Sequence, residues 1–227
     1  MILMGSVQMA SPSRGSGILS PVENVYMAVV SAIPLPQLKI WANAYFHPVV
    51  AYNQNKKDAN FGAIAVHLIL IALLAWVASE LQAAVEPNFL AFNARLLGII
   101  SNPIMVLIVG FISSAICWII AKIFGGRGGY MEQTLALALI YGGYTVVAFP
   151  FAVLGGGIGF ALGAIAALIA LYNLYLMTKA VHSLSSGRAA IVALMSIVVF
   201  VYVMVWFFVL YLMIFPPATF SLGGPGP

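Results

Sequence analysis

Residues 189–217 read AAIVALMSIVVFVYVMVWFFVLYLMIFPP. A helix must be roughly 20 residues long and mostly apolar to cross about 30 Å of hydrocarbon. Ala189 to Phe215 is a 27-residue apolar stretch that meets this, and its length implies tilt or partial emergence from the bilayer. Pro216-Pro217 stops it, because proline cannot continue a helix. Working back along the chain, the same criterion picks out Phe61–Ala78, Ile99–Ala121, Thr134–Leu154 and Ile158–Met177. The expected fold is therefore an all-α membrane protein with five transmembrane helices. The chain divides into an arm at 1–60, a five-helix domain at 61–215 and a Pro/Gly-rich tail at 216–227.

Composition agrees. Of 227 residues, 63% are hydrophobic and 6% charged, with nine basic and five acidic groups. A soluble surface needs roughly 25–35% charged residues, so soluble, disordered and fibrous classes are excluded. The net charge of +4 comes with no basic stripe interleaved with aromatics, and no nucleic-acid partner is expected. One cysteine, Cys117, forbids an internal disulfide, and His47, His67 and His182 lie too far apart in sequence to suggest a metal cluster. No cofactor is expected. The start, MILMGSVQMASPSRGSG, lacks the charged beginning and continuous apolar core of a signal peptide, so no cleavage is expected.

Basic residues set the orientation. With the N-terminus cytoplasmic, eight of nine fall on that side (Arg14, Lys39, Lys56, Lys57, Lys122, Arg127, Lys179 and Arg188) and only Arg95 on the other. The positive-inside rule thus places the N-terminus in the cytoplasm and the tail outside. In the arm, Ser20-Pro21-Val22-Glu23 has the form of a capping box opening a short helix that Pro34 ends. A second short segment, Gln37 to His47, groups Leu38, Trp41, Tyr45 and Phe46 at helical spacing. Both read as helices in the cytoplasmic interface, where Trp and Tyr sit well. Packing on the cytoplasmic ends of the spans is the alternative.

Candidate chemistry is sparse. Gly155, Gly159, Gly163 and Ala167 recur every fourth residue, a small-residue ridge that lets helices approach closely in lipid. Packing inside the monomer is the first reading, a homodimer face the second and a ligand role the third. The loop Gly125-Gly126-Arg127-Gly128-Gly129-Tyr130-Met131-Glu132 could cradle a phosphate on its amides, but no Gly-Lys-Ser/Thr follows, and a turn between spans is preferred. His67 is the one clear ionisable group within a span, a usual pointer to a transport path. A neutral histidine bonded to a neighbouring helix is the plainer reading. Tyr141, Tyr144, Tyr172, Asn173, Tyr175 and Tyr202 add polar groups for interhelical bonds or interfacial anchoring. Paired intramembrane carboxylates and the familiar hydrolase motifs are absent from the sequence, so no enzyme is expected.

Several of these pieces, in order, resemble the Yip domain family, five-span membrane proteins that interact with Ypt/Rab GTPases. They are Trp41 through His47-Pro48, the turn Gly125 to Glu132, Gly143-Tyr144 followed by Pro150, and the turn Leu176 to Ala190 with His182-Ser183-Leu184-Ser185 and Arg188-Ala189. The resemblance covers about Leu38 to Phe215. It implies a non-enzymatic membrane protein, and it marks Gly126, Arg127, Gly129, Glu132, His182 and Arg188 as cytoplasmic-loop candidates. Eukaryotic relatives bind small GTPases and act in vesicle trafficking. This chain has a short arm without their Asp-Leu-Tyr-Gly-Pro motif, so the small-GTPase partner does not carry over. It is more similar to the prokaryotic branch, which implies a cell-membrane location (an endomembrane in a eukaryote). The expected function is a membrane scaffold or membrane-organising protein. Its partners are the lipid bilayer and other membrane proteins or further copies of itself. A transporter or channel component or an accessory subunit of a membrane complex, with His67 and the third- and fourth-span tyrosines lining a polar path, is the alternative.

Overall fold

A computed structural model describes residues 36–85 and 103–214, all within one compact unit running from Leu35 to Pro227. The Ser20–Pro34 helix, Arg95 and the 216–227 tail lie outside the described residues. Among the described residues all regular secondary structure is helical. Two short helices, α1 (Pro36–Phe46) and α2 (Pro48–Asn55), lead through a 3-10 turn at Lys56–Asp58 to five long ones. These are α3 (Phe61–Val85), α4 (Pro103–Ile123), α5 (Tyr130–Leu154), α6 (Gly156–His182) and α7 (Ser186–Ile214). All five are long and apolar enough to cross a membrane.

The helix boundaries follow from local chemistry. Asn60 starts α3, its side-chain Oδ1 accepting the Ala63 amide at 3.0 Å. α5 begins at Tyr130, four residues before Thr134, because the Glu132 carboxylate accepts the Gly129 amide at 2.8 Å. The α1–α2 break falls at His47, whose φ of −133° and ψ of 63° lie outside the helical region, which a following proline disfavours. The sharpest reversal needs glycine. α5 ends at Leu154 and α6 starts at Gly156, with φ of 61° at Gly155 and 58° at Gly156. Only residues without a Cβ adopt that region freely, so two spans reverse through a single intervening residue.

α5 is the hub. α1, α2, α3, α4 and α6 all pack on it, while α7 packs on α4 and α6. Gln133 to Ile140 is buried at every position, the mark of a helix enclosed on all sides. The other spans turn large apolar side chains outward, among them Phe160, Ile158, Leu168 and Leu194. A soluble protein does not expose such a girdle; lipid does not penalise it.

Candidate functional site

Two polar clusters and one cavity organise the bundle. The first cluster fixes α1. The Gln37–His47 segment, for which the sequence allowed either an interfacial or a packed position, packs on the spans, and Trp41 is 0% exposed. Its indole lies against Gly142, where an added Cβ would sit 2.5 Å from ring atoms; at Gly143 an added Cβ would sit 2.8 Å from the Trp41 carbonyl oxygen. Gly142 lies twelve residues beyond Tyr130, about 18 Å along α5, so α1 sits beside the middle of that span. Trp41 Nε1 donates to His67 Nδ1 at 3.0 Å. Indole nitrogen can only donate, so Nδ1 accepts and the imidazole is the neutral tautomer protonated on Nε2. Tyr45 donates its hydroxyl to the Ala166 carbonyl at 3.0 Å, and Asn173 Nδ2 donates to the Tyr45 carbonyl at 2.8 Å. That carbonyl lies in the last turn of α1 and has no helical donor, so Asn173 completes the helix end. Burial, and then the neighbouring Tyr144, push the Tyr45 phenol up to about 12, which keeps it a donor.

The second cluster gathers every loop candidate at one end of the bundle. Arg127 donates its amide to the His182 carbonyl at 3.1 Å, joining the turn before α5 to the end of α6. Gly126 and Gly128 are buried against His182; a Cβ on Gly128 would lie 2.5 Å from the Val181 carbonyl oxygen. The Arg188 guanidinium lies beside Gly125. The amides of Gly125, Gly126, Arg127 and Gly129 are donated to Lys122, Ala121, His182 and Glu132. These four amides are thus committed within the protein, as in a packed turn between spans. Inward from the turn, His182 Nε2 donates to Gln133 Oε1 at 3.0 Å, and Gln133 Nε2 donates to Cys117 Sγ at 3.3 Å. Cys117 Sγ lies 3.8 Å from Thr178 Oγ1. The chain therefore links α4, α5 and α6. His182 Nδ1 is buried without a partner among the described residues.

Beyond Cys117 a cavity of about 270 Å³ opens among α4, α5, α6 and α7, bounded in part by Ser113, Cys117, Tyr141, Ala170, Ser196 and Phe200. Three of the polar side chains on its wall bond within the protein. Tyr141 donates to Ser113 Oγ at 3.4 Å, Ser113 to the Gly110 carbonyl at 3.0 Å, and Ser196 to the Val192 carbonyl at 2.7 Å.

The remaining sequence candidates disperse. His67 lines no part of the cavity and serves α1 instead. Tyr172 and Tyr202 are exposed on the outside of the bundle. The small-residue ridge divides into unlike positions. Gly155 is the reversal, Gly159 abuts the Phe151 carbonyl, Gly163 has nothing within 4 Å of where a Cβ would be, and Ala167 lines the cavity. The four-residue repeat puts these positions on one face of α6, but only its first turn meets the end of α5. Gly159→Leu should therefore lower the melting temperature in detergent, with overpacking costing about 1–3 kcal/mol, while Gly163→Leu should be nearly silent. Equal losses at both would disprove the division. The close approaches at Gly142 and Gly128 are invisible to a periodicity search, because their partners are a separate short helix and a carbonyl in the last turn of α6. Among the described residues no group of three or more His, Cys, Asp or Glu side chains is placed to hold a metal.

A hub helix enclosed by three other apolar spans and two short helices, with a further span packed beyond it, defines a polytopic helical membrane protein. A family model described as the Yip1 domain matches residues 42–208. The chain belongs to the Yip1 domain family. No curated protein and no solved structure matches it.

Proposed function

We propose that this protein is a non-enzymatic membrane scaffold or membrane-organising protein, acting through protein and lipid contacts. The single observation that carries the reading is where the interior polar side chains are spent. His67, Gln133, Asn173 and His182 each bond across helices, so they hold elements together instead of lining a shared polar path. The end of the bundle bearing Lys122, Arg127, Lys179 and Arg188 is the cytoplasmic one by the positive-inside rule. With Cys117 replaced, a cysteine at Arg127 should resist an impermeant thiol reagent in intact cells while one at Arg95 reacts. The opposite pattern would invert the topology.

The deciding experiment pairs a mild-detergent pulldown with reconstituted vesicles. His67→Gln keeps an acceptor for Trp41 but removes titration near neutral pH. Stability and recovery of partner proteins should stay nearly unchanged. A proton-coupled flux in the unsubstituted protein that disappears in His67→Gln would replace the scaffold with a transporter.

A further inference from the structure

We propose that the cavity among α4, α5, α6 and α7 holds the tail of one bilayer lipid. The proposal rests on the lipid half of the scaffold reading and gives it a location.

α5 and α7 face one another across the cavity, since each packs on both α4 and α6. Its depth limits what can enter. Cys117 lies six residues from the Ile123 end of α4, about 9 Å, and Tyr144 fourteen residues into α5, about 21 Å. That interval is inside the hydrocarbon layer, out of reach of water-borne ligands and headgroups. The chemistry of the wall limits the occupant further. Leu137, Ile140, Ala167, Ala170 and Phe200 present hydrocarbon, while Ser113, Cys117, Tyr141 and Ser196 already bond within the protein. A polar substrate entering there would lose its hydration and meet, apart from the Tyr144 hydroxyl, side chains that already bond within the protein; an alkyl chain loses nothing.

An approach route is also present. A second hollow of about 40 Å³ lies in the α4–α7 seam, lined by Met105, Ile108, Val109, Ile112, Phe200, Val203 and Met204. Phe200 belongs to both linings, so one aromatic side chain stands between the two spaces. From Met105 to Cys117 the two together follow α4 for about 18 Å. The seam begins at the end of the bundle opposite the Arg127 turn. A lipid of that leaflet can lay its tail along the seam past Phe200, with its headgroup left at the surface. The cavity volume, just under the roughly 300–1,000 Å³ of drug-sized sites, suits a slender chain better than a ring system.

The test uses the full chain in vesicles of phosphatidylcholine with a photoreactive diazirine near the end of one acyl chain. After illumination, mass spectrometry should find adducts at Leu137, Ile140 or Tyr141, which face the cavity, as well as at lipid-facing Leu168 and Leu194. Ala170→Phe should cut the cavity adducts at least fivefold and leave those at Leu168 and Leu194 unchanged, as should the smaller filling change Ala167→Leu. Ala161→Phe, on the exposed face of α6, should alter neither set. Adducts confined to the lipid-facing residues in the unsubstituted protein would overturn the proposal. So would cavity adducts that persist in an Ala167→Leu protein of unchanged melting temperature, which also decides the matter if Ala170→Phe fails to fold. Partner recovery from the same preparations is scored separately, so a lost lipid site and a lost scaffold function are told apart.

Discussion

Trp41→Ala should cost about 3–5 kcal/mol, the usual penalty for emptying a fully buried large aromatic site. The indole is wholly enclosed, lies on Gly142 and donates to His67, so its loss opens a void and leaves an imidazole acceptor unpaired together. Thermal unfolding in detergent would measure this. A companion series tests the contact itself. Gly142→Ala brings a Cβ to 2.5 Å from the indole and should cost about 1–3 kcal/mol alone. In the Trp41→Ala background the obstructing ring is gone, and that cost should vanish. Gly143→Ala is different, because its Cβ would meet the Trp41 carbonyl oxygen and Tyr45 backbone nitrogen. Trimming the Trp41 side chain cannot relieve a collision with main chain, so Gly143→Ala should remain damaging in both backgrounds. Strictly additive losses for Trp41→Ala and Gly142→Ala would mean that α1 does not dock there.

The second large effect is expected at Gln133, the middle of the polar chain from Cys117 to His182. Gln133→Leu leaves the His182 Nε2–H without its 3.0 Å acceptor in a residue that is 0% exposed. An unpaired buried donor costs about 1–3 kcal/mol. His182→Leu strands the Gln133 carbonyl in the same way. Removing both partners together leaves neither group stranded, so the double variant should be less destabilised than the sum of the singles, by about 0.5–3 kcal/mol. Melting temperatures of the four proteins give the coupling directly. Zero coupling would show that the two side chains do not act as a pair.

The five spans were legible in the sequence because length and hydropathy are local properties. Ala189 to Phe215 announces a helix in lipid whatever it packs against. Turn chemistry was legible for the same reason. Gly126, Arg127, Gly129 and Glu132 were marked as one turn, with His182 and Arg188 in another, and the structure brings the two turns together at one end of the bundle. Their exact use was not legible, since the four committed amides of the first turn depend on acceptors that include His182, some 55 residues away.

The small-residue ridge shows the limit from the other side. Spacing of four residues puts Gly155, Gly159, Gly163 and Ala167 on one face, but a face does not say what it meets. In water, burial of apolar residues would reveal it, because the hydrophobic effect drives such faces inward. In lipid that driving force between helices is missing, so a buried span and a lipid-facing span carry almost the same sequence.

The sequence alone therefore determined that the chain is an all-helical membrane protein with five spans, where along the chain each span lies to within several residues, and which family it resembles. Tertiary structure alone decided that α5 is the hub, that α1 docks beside its middle through Trp41 on Gly142 and Gly143, and that a cavity remains among α4 to α7. Helix formation is settled within a few residues of chain by backbone bonds that must close in hydrocarbon. The choice of neighbours is settled by steric fit and single hydrogen bonds between residues as far apart as Tyr45 and Asn173, and neither leaves a periodic trace in the sequence.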